Sequence, residues 1–287
     1  MTSGSSPSPL ERLQSFAAVA APTTLATALL LYFGYVSTLT RYEHFGVDLG
    51  ALDLSTTELL LLGTEVIFPP VAGLLVLLVA GVLAHRGAQA LVARRRKRPA
   101  RVVAAVLVVV GATAFVRAVV GVLVVDVSQH ELPGLTAVCL GAGLPLAAYG
   151  TWMHRRSRPR GGRPDPLLLA AVTGLVVLGL FWGTNVFAGA YGRGRAEQLA
   201  TGLRTLPVVV LDLPQPLNLP PDLRGVQQWE AAPEGTPYRF RCQGLRLLTE
   251  AGGRLFLVSE EWNRNRRTIV VPYDDSVRVQ FAPGSDP

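Results

Sequence analysis

Charged residues are scarce in this sequence, and their scarcity excludes two classes of protein. Asp, Glu, Lys and Arg make up 16% of the 287 residues, whereas apolar residues make up 49%. A soluble globular domain carries about 25% charged residues, so too few are present to cover a water-facing surface. Intrinsic disorder needs high charge and low hydrophobicity, and a mean hydropathy of +0.35 argues against it. Cysteine is equally scarce, and two residues cannot supply the framework of a disulfide-rich secreted domain.

Long apolar stretches are what the sequence has instead. A helix needs roughly 20 mainly apolar residues to cross a bilayer. Residues 1–15 are rich in serine and proline, which predicts a disordered start. The first apolar stretch is too long for a signal peptide and has no small-residue cleavage site, so we interpret it as a retained anchor. Five stretches qualify as spans, namely 16–36, 59–84, 102–125, 135–153 and 167–190.

The second stretch has a defined start and an interruption. Ser55 and Glu58 have the spacing of a capping box, in which each side chain bonds the backbone of the other residue. Pro69 and Pro70 follow within the apolar run. Because proline lacks the N–H donor and clashes with the preceding turn, this pair predicts a break or a kink in the helix.

Basic residues are concentrated in two of the four connections between these stretches. Basic side chains near span ends stay in the cytoplasm, which predicts a cytoplasmic N-terminus and an extracytoplasmic segment after residue 190. The two opposite connections contain only Arg41. We interpret the clusters as orientation signals that also contact anionic headgroups at the inner face, rather than as a nucleic-acid interface. Their members are Arg94, Arg95, Arg96, Lys97 and Arg98 in one connection and Arg155, Arg156 and Arg158 in the other.

Residues 191–287 have the composition of a soluble, β-rich domain. Apolar residues alternate with polar ones at period two, as in Tyr238–Cys242 and Val277–Phe281. Ala251–Gly253 predicts a tight turn into another strand. We expect five or six short, mostly antiparallel strands that close a small sandwich or barrel. Cys242 falls on one of these strands and Cys139 in a span, so no disulfide is expected.

Motifs for catalysis or metal binding are missing from the sequence. It has no P-loop, no G-x-S-x-G elbow and no histidine spacing typical of metal ligands, so no cofactor or metal is expected. Glu65 and Arg117 are the exception, because ionisable residues inside a span are costly and are functional candidates. At about 1.5 Å per residue they lie about 9 and 12 Å inside the same face of the bilayer. With Asn185 they form a candidate polar cluster beside Pro69 and Pro70, interpreted as a helix-fixing ion pair or as a ligand or ion site.

Short motifs at both ends of the chain resemble a known group of proteins. Tyr32–Tyr35, Phe45–Asp48, Leu54–Thr56 and Gly244–Leu248 are similar to segments of uncharacterised multi-pass integral membrane proteins of actinobacteria. No activity or functional residue comes with this resemblance. It implies a plasma-membrane location.

The sequence therefore predicts an α-helical membrane bundle of five transmembrane helices (16–190). A small C-terminal antiparallel β-rich extracytoplasmic domain follows it (191–287). The lipid bilayer is one expected partner and a protein bound by the outer domain is another, which favours an interaction, scaffold or sensing role. One alternative is a small channel or transporter that uses Glu65, Arg117 and Asn185. The other is an enzyme at the membrane interface.

Overall fold

Five α-helices confirm the number of predicted spans. The computed structural model describes residues 9–93, 97–124, 134–156, 166–221, 223–262 and 266–284. Within these residues, five helices are long and apolar enough to cross a membrane. They are α1 (Pro9–Glu43), α2 (Thr56–Ala93), α3 (Lys97–Leu123), α4 (Leu135–Arg156) and α5 (Pro166–Thr201). Their membrane-spanning candidates are Thr23–Glu43, Thr56–Gly87, Arg101–Leu123, Leu135–His154 and Leu169–Thr201.

Helix α1 is longer at both ends than the sequence predicts. It begins at Pro9, inside the segment that we expected to be disordered, because proline suits the first position of a helix and Leu10–Gln14 are good helix formers. Residues 1–8 lie outside the described part. The helix continues past residue 36 to Glu43, and hydroxyl groups such as that of Thr38, which donates to the Gly34 carbonyl at 2.7 Å, bond within this last part.

Helix α2 confirms the capping box and corrects the predicted break. The Ser55 backbone N–H donates to Glu58 Oε2 at 2.7 Å, and the Glu58 N–H donates to Ser55 Oγ at 3.2 Å. Pro69 and Pro70 lie inside one continuous helix, so the chain does not break there, and the kink stays a prediction. For a helix in hydrocarbon, a break would leave several backbone N–H and C=O groups unpaired. That costs more free energy than the two backbone hydrogen bonds that Pro69 and Pro70 cannot donate.

The chain divides into two compact units, and we call them the sheet unit and the helical unit. The sheet unit comprises the described parts of 1–64 and 191–287, and the helical unit those of 65–190. In the helical unit, α3 and α4 approach at glycines. A Cβ atom at Gly143 would lie 2.8 Å from the backbone nitrogen of Phe115. Small residues at helix interfaces allow backbones to come this close.

Six strands form one antiparallel sheet in the order β5-β4-β3-β1-β6, with β2 paired to β3 outside this path. Among the described strands, the end strands β5 and β6 do not pair with each other, so the expected sandwich or barrel is an open sheet instead. Closure is not required because segments outside the sheet cover one face of β4 and part of the other. The strands are β1 (Val208–Leu213), β2 (Gln227–Glu230), β3 (Phe240–Ala251), β4 (Arg254–Ser259), β5 (Thr268–Pro272) and β6 (Arg278–Ala282).

Strand β4 is buried on both of its faces. Successive side chains of a strand point in opposite directions, and Leu255 to Ser259 are all buried. Leu255 and Leu257 belong to one cluster of buried residues, which we call the far core. Its other members are Val209, Leu211, Leu213, Cys242, Leu245 and Val271. Leu217 and Leu219, from the proline-rich segment after β1, pack against this cluster.

The second cluster, which we call the loop-side core, joins the sheet to helix ends. Phe256 and Val258 of β4 pack there with residues from the α1–α2 connection and from the end of α5. The connection contributes Phe45, Val47, Leu49 and Leu52; α5 and the turn after it contribute Ala196, Ala200 and Leu203; Trp262 completes the set. The sheet is therefore built directly onto these helix ends rather than tethered by a linker.

The α1–α2 connection is ordered by local contacts of its own. Gly46 has a φ of +70°, a left-handed conformation that glycine adopts without strain and that is common just after a helix end. Asp48 Oδ1 accepts a hydrogen bond from the Gly50 N–H at 2.8 Å. The Phe45 ring centroid lies 4.8 Å from that of Trp262, and the Phe45 carbonyl accepts a 2.7 Å hydrogen bond from Thr268 Oγ1.

We expect Phe45→Ala to lower the free energy of unfolding of the sheet unit by about 3–5 kcal/mol, the usual cost of removing a buried phenylalanine ring. Phe281→Ala is the matched control, because Phe281 is 48% exposed and Phe45 only 1%. Thermal unfolding in detergent micelles measures both. Equal losses for the two variants would show that the loop-side core does not hold the sheet.

Candidate functional site

Arg117 of the predicted polar cluster is half-buried in the helical unit, on α3. Its Nη1 donates to Thr136 Oγ1 on α4 at 3.4 Å. Thr136 is 2% exposed, so the guanidinium reaches a buried hydroxyl between two packed helices. A charged donor in an apolar setting strengthens such a bond, and this contact helps to fix α3 against α4.

Glu65 and Asn185 have different surroundings. Glu65 is exposed on α2, and its pairing with Arg117 stays a prediction. Asn185 Oδ1, on α5, is buried without a hydrogen-bond partner among the described residues. A buried, unsatisfied carbonyl oxygen is costly, so this atom is a place where a water molecule or a polar ligand would be stabilised.

The basic clusters lie at the ends of helices as far as the structure describes them. Lys97 and Arg98 begin α3, and Arg155 and Arg156 end α4. Arg94, Arg95, Arg96 and Arg158 lie outside the described residues.

Two partly buried polar contacts hold the sheet unit together. Arg241 Nε and Nη2 donate to the two carboxylate oxygens of Asp212 at 2.7 and 3.1 Å, across β1 and β3. This hydrogen-bonded pair raises the pKa of Arg241. Arg246 is 5% exposed and donates to Glu260 Oε1 and to the Arg204 and Leu206 carbonyls. Arg246 thereby fastens the segment between α5 and β1 to the sheet.

Both cysteines are free, as expected. Cys242 is completely buried in the far core. Burial raises the pKa of its thiol from 9.0 to about 11, because the thiolate loses its hydration.

A pocket in the sheet unit brings together two arginines that the sequence interpretation did not connect. Arg41 at the end of α1 and Arg195 near the end of α5 line it, with Gln198, Leu199, Gly202 and Thr205. The feature of the sequence that could have indicated this pocket is Arg41 itself. It is the one basic residue in the two connections that otherwise contain no Lys or Arg. Its pairing with Arg195 depends on how α1 meets α5, which no local pattern encodes.

Among the described residues, no group of three His, Cys, Asp or Glu side chains is close enough to hold a metal ion. No family model, curated protein or solved structure matches this chain. The candidate sites consequently rest on the geometry of its own residues.

A double-mutant cycle tests the predicted Glu65–Arg117 pair. We expect Glu65→Gln and Arg117→Gln each to destabilise the protein, and the double variant to lose less than the sum, because removing one charge leaves the other without its partner. The measurement is the free energy of unfolding in detergent. Glu65→Gln with Thr113→Ala, one turn from Arg117, is the control pair and should be additive. Additivity within about 0.5 kcal/mol for Glu65 and Arg117 would show that they do not interact.

The raised thiol pKa predicts that Cys242 is chemically inert in the folded protein. Since the thiolate is the reacting species, a pKa two units higher lowers its fraction at pH 8 by about 100-fold, and burial slows access further. In a Cys139→Ala background, iodoacetamide should label the native protein only as the pH approaches 11. Denatured protein, the control, should react at pH 8. Rapid labelling of the native form at that pH would contradict the buried position.

Proposed function

We propose that the chain is an integral plasma-membrane protein that acts through its β-sheet (β1–β6), outside the cell, by binding a protein partner or sensing a ligand. The observation that carries the proposal is the loop-side core. A sheet that shares its core with the ends of α1 and α5 passes a load or a binding event directly to two spans. A flexible linker would not do so.

The proposed orientation follows from chain order and charge. Lys97 and Arg98 lie just before the α3 span, and Arg155 and Arg156 lie just after the α4 span. Three spans separate the first pair from the sheet and one span separates the second, so in both cases the sheet lies on the opposite side of the membrane. Basic residues resist translocation, so the arginine-rich connections stay in the cytoplasm and the sheet is exported. The inner basic residues then contact anionic headgroups at about 1 kcal/mol each.

Exposed features of the sheet support an interaction role. Trp229 on β2 is 40% exposed and Phe281 on β6 is 48% exposed. Aromatic side chains are enriched at protein interfaces, and tryptophan above all at their energetic centres. Strands β5 and β6 end the sheet order, and an end strand offers backbone groups for pairing with an added strand of a partner.

A crosslinker with one maleimide and one photoreactive end, unable to cross the membrane, tests location and interaction together. Trp229→Cys and Phe281→Cys, in a Cys139→Ala background on intact cells, should both be labelled and should crosslink a defined protein on illumination. Thr236→Cys, in an exposed turn, should be labelled but should crosslink less. Arg158→Cys should stay unlabelled until the membrane is opened.

The two parts of the proposal fail separately. Labelling at position 158 but not at 229 on intact cells would invert the orientation. Labelling at 229 and 281 without any crosslinked species, or with equal capture at position 236, would remove the interaction role and leave the location intact.

A further inference from the structure

The pocket in the sheet unit between the ends of α1 and α5 has the size of a small polar group. Its volume is about 170 Å³, whereas sites for drug-sized ligands measure about 300–1,000 Å³. Among the described residues, Leu199 is the one strongly apolar member of its lining, and the others are Arg41, Arg195, Gln198, Gly202 and Thr205.

The charge of this pocket is positive. Of the residues that the structure describes, two arginines line it with their guanidinium groups and no Asp or Glu does. The Thr205 hydroxyl donates to the Gly202 carbonyl at 2.7 Å, and Arg195 Nη1 donates to Gln198 Oε1 at 3.4 Å. The ends of α1 and α5 each contribute about half a negative charge, which two full positive charges outweigh. An anion is therefore the favoured occupant.

Arg41 supplies a donor that the described part of the protein does not use. Its Nε is buried and has no hydrogen-bond partner among the described residues. Its Cζ lies 5.7 Å from the centre of the Tyr42 ring, a contact that restrains the guanidinium without satisfying the donor. A buried donor without an acceptor is costly, and because Arg41 lines the pocket, an anion bound there would offer acceptors to its guanidinium group.

We propose that Arg41 and Arg195 bind a phosphate group in this pocket. Guanidinium groups match the tetrahedral oxygens of phosphate with paired donors, and the amide of Gln198 is a further donor within the same lining. The phosphate has two conceivable sources, the headgroup of an anionic phospholipid and a soluble phosphate ester. The site is independent of the protein partner proposed for the sheet.

The position of the two arginines along their helices matches the depth of a lipid headgroup. Arg41 lies at the end of the membrane-spanning candidate Thr23–Glu43, and Arg195 near the end of Leu169–Thr201. Arginine at a span end extends its charged group into the headgroup layer while its aliphatic stem stays in the apolar region. A phospholipid beside the protein would therefore present its phosphate at the level of the pocket.

Binding to the full-length protein in phosphatidylcholine nanodiscs tests the proposal. One arm adds phosphatidylglycerol and measures the lipid retained by native mass spectrometry. The other adds glycerol 3-phosphate and measures binding by calorimetry. The expected result is retention or binding in at least one arm, and Arg41→Gln with Arg195→Gln should weaken it about tenfold or more, the effect of losing charge-assisted hydrogen bonds.

Two further variants keep the result interpretable. Arg193→Gln removes an exposed arginine of the same helix that does not line the pocket, and it should bind like the wild type. Gln198→Glu keeps both arginines but adds a negative charge, so it should weaken binding even if the arginine variant unfolds.

The outcomes divide cleanly. Binding of the lipid alone identifies a headgroup as the source, whereas binding of glycerol 3-phosphate identifies a soluble ester. Binding in neither arm overturns the site. Unchanged binding in the double arginine variant and in Gln198→Glu overturns it as well, and would leave the arginines the role of neutralising the two helix ends.

Discussion

The packing of Phe256 and Val258 against Phe45, Val47 and the end of α5 is the contact on which the sheet depends. A small sheet buries too little apolar surface to be stable by itself, and this one has two faces to cover. The loop-side core covers one face of β4 with residues from helix ends, and the proline-rich segment after β1 covers part of the other. Each cover substitutes for the second sheet of a sandwich, which is why six strands suffice without closing.

This dependence explains why the motifs of the chain lie where they do. Gly46 allows α1 to end and turn, Asp48 caps the turn that follows, and Ser55 with Glu58 starts α2. Gly244 has a φ of +88°, and a side chain there would collide with the Gly225 carbonyl. These short motifs thus have structural roles in holding the sheet unit together.

Run length and period two predict much of the fold, but not its long-range contacts. The apolar runs gave the five helices, and the alternation in residues 238–242 and 277–281 gave strands that the structure contains. Strand β2 went unpredicted because Gln227–Glu230 has a single apolar residue and follows a proline-rich segment. The packing of Phe45 and Val47 against the sheet went unpredicted because the sequence of a connection between two spans does not show which distant residues it contacts. The hydrogen bond from Arg117 to Thr136 went unpredicted for the same reason. It forms only because α3 and α4 approach closely at their glycines.

Arg41 links the orientation of the chain to its chemistry. In the proposed topology it is the one basic residue on the exported connections, where the bias that orients the spans disfavours positive charge. A charge retained against that bias needs a compensating interaction. The tyrosine ring beside it provides a weak one, and the buried Nε without an acceptor shows that the compensation within the described residues is incomplete. With Arg195 across the pocket adding to the positive potential, the missing interaction is one that an anion from outside the chain would supply.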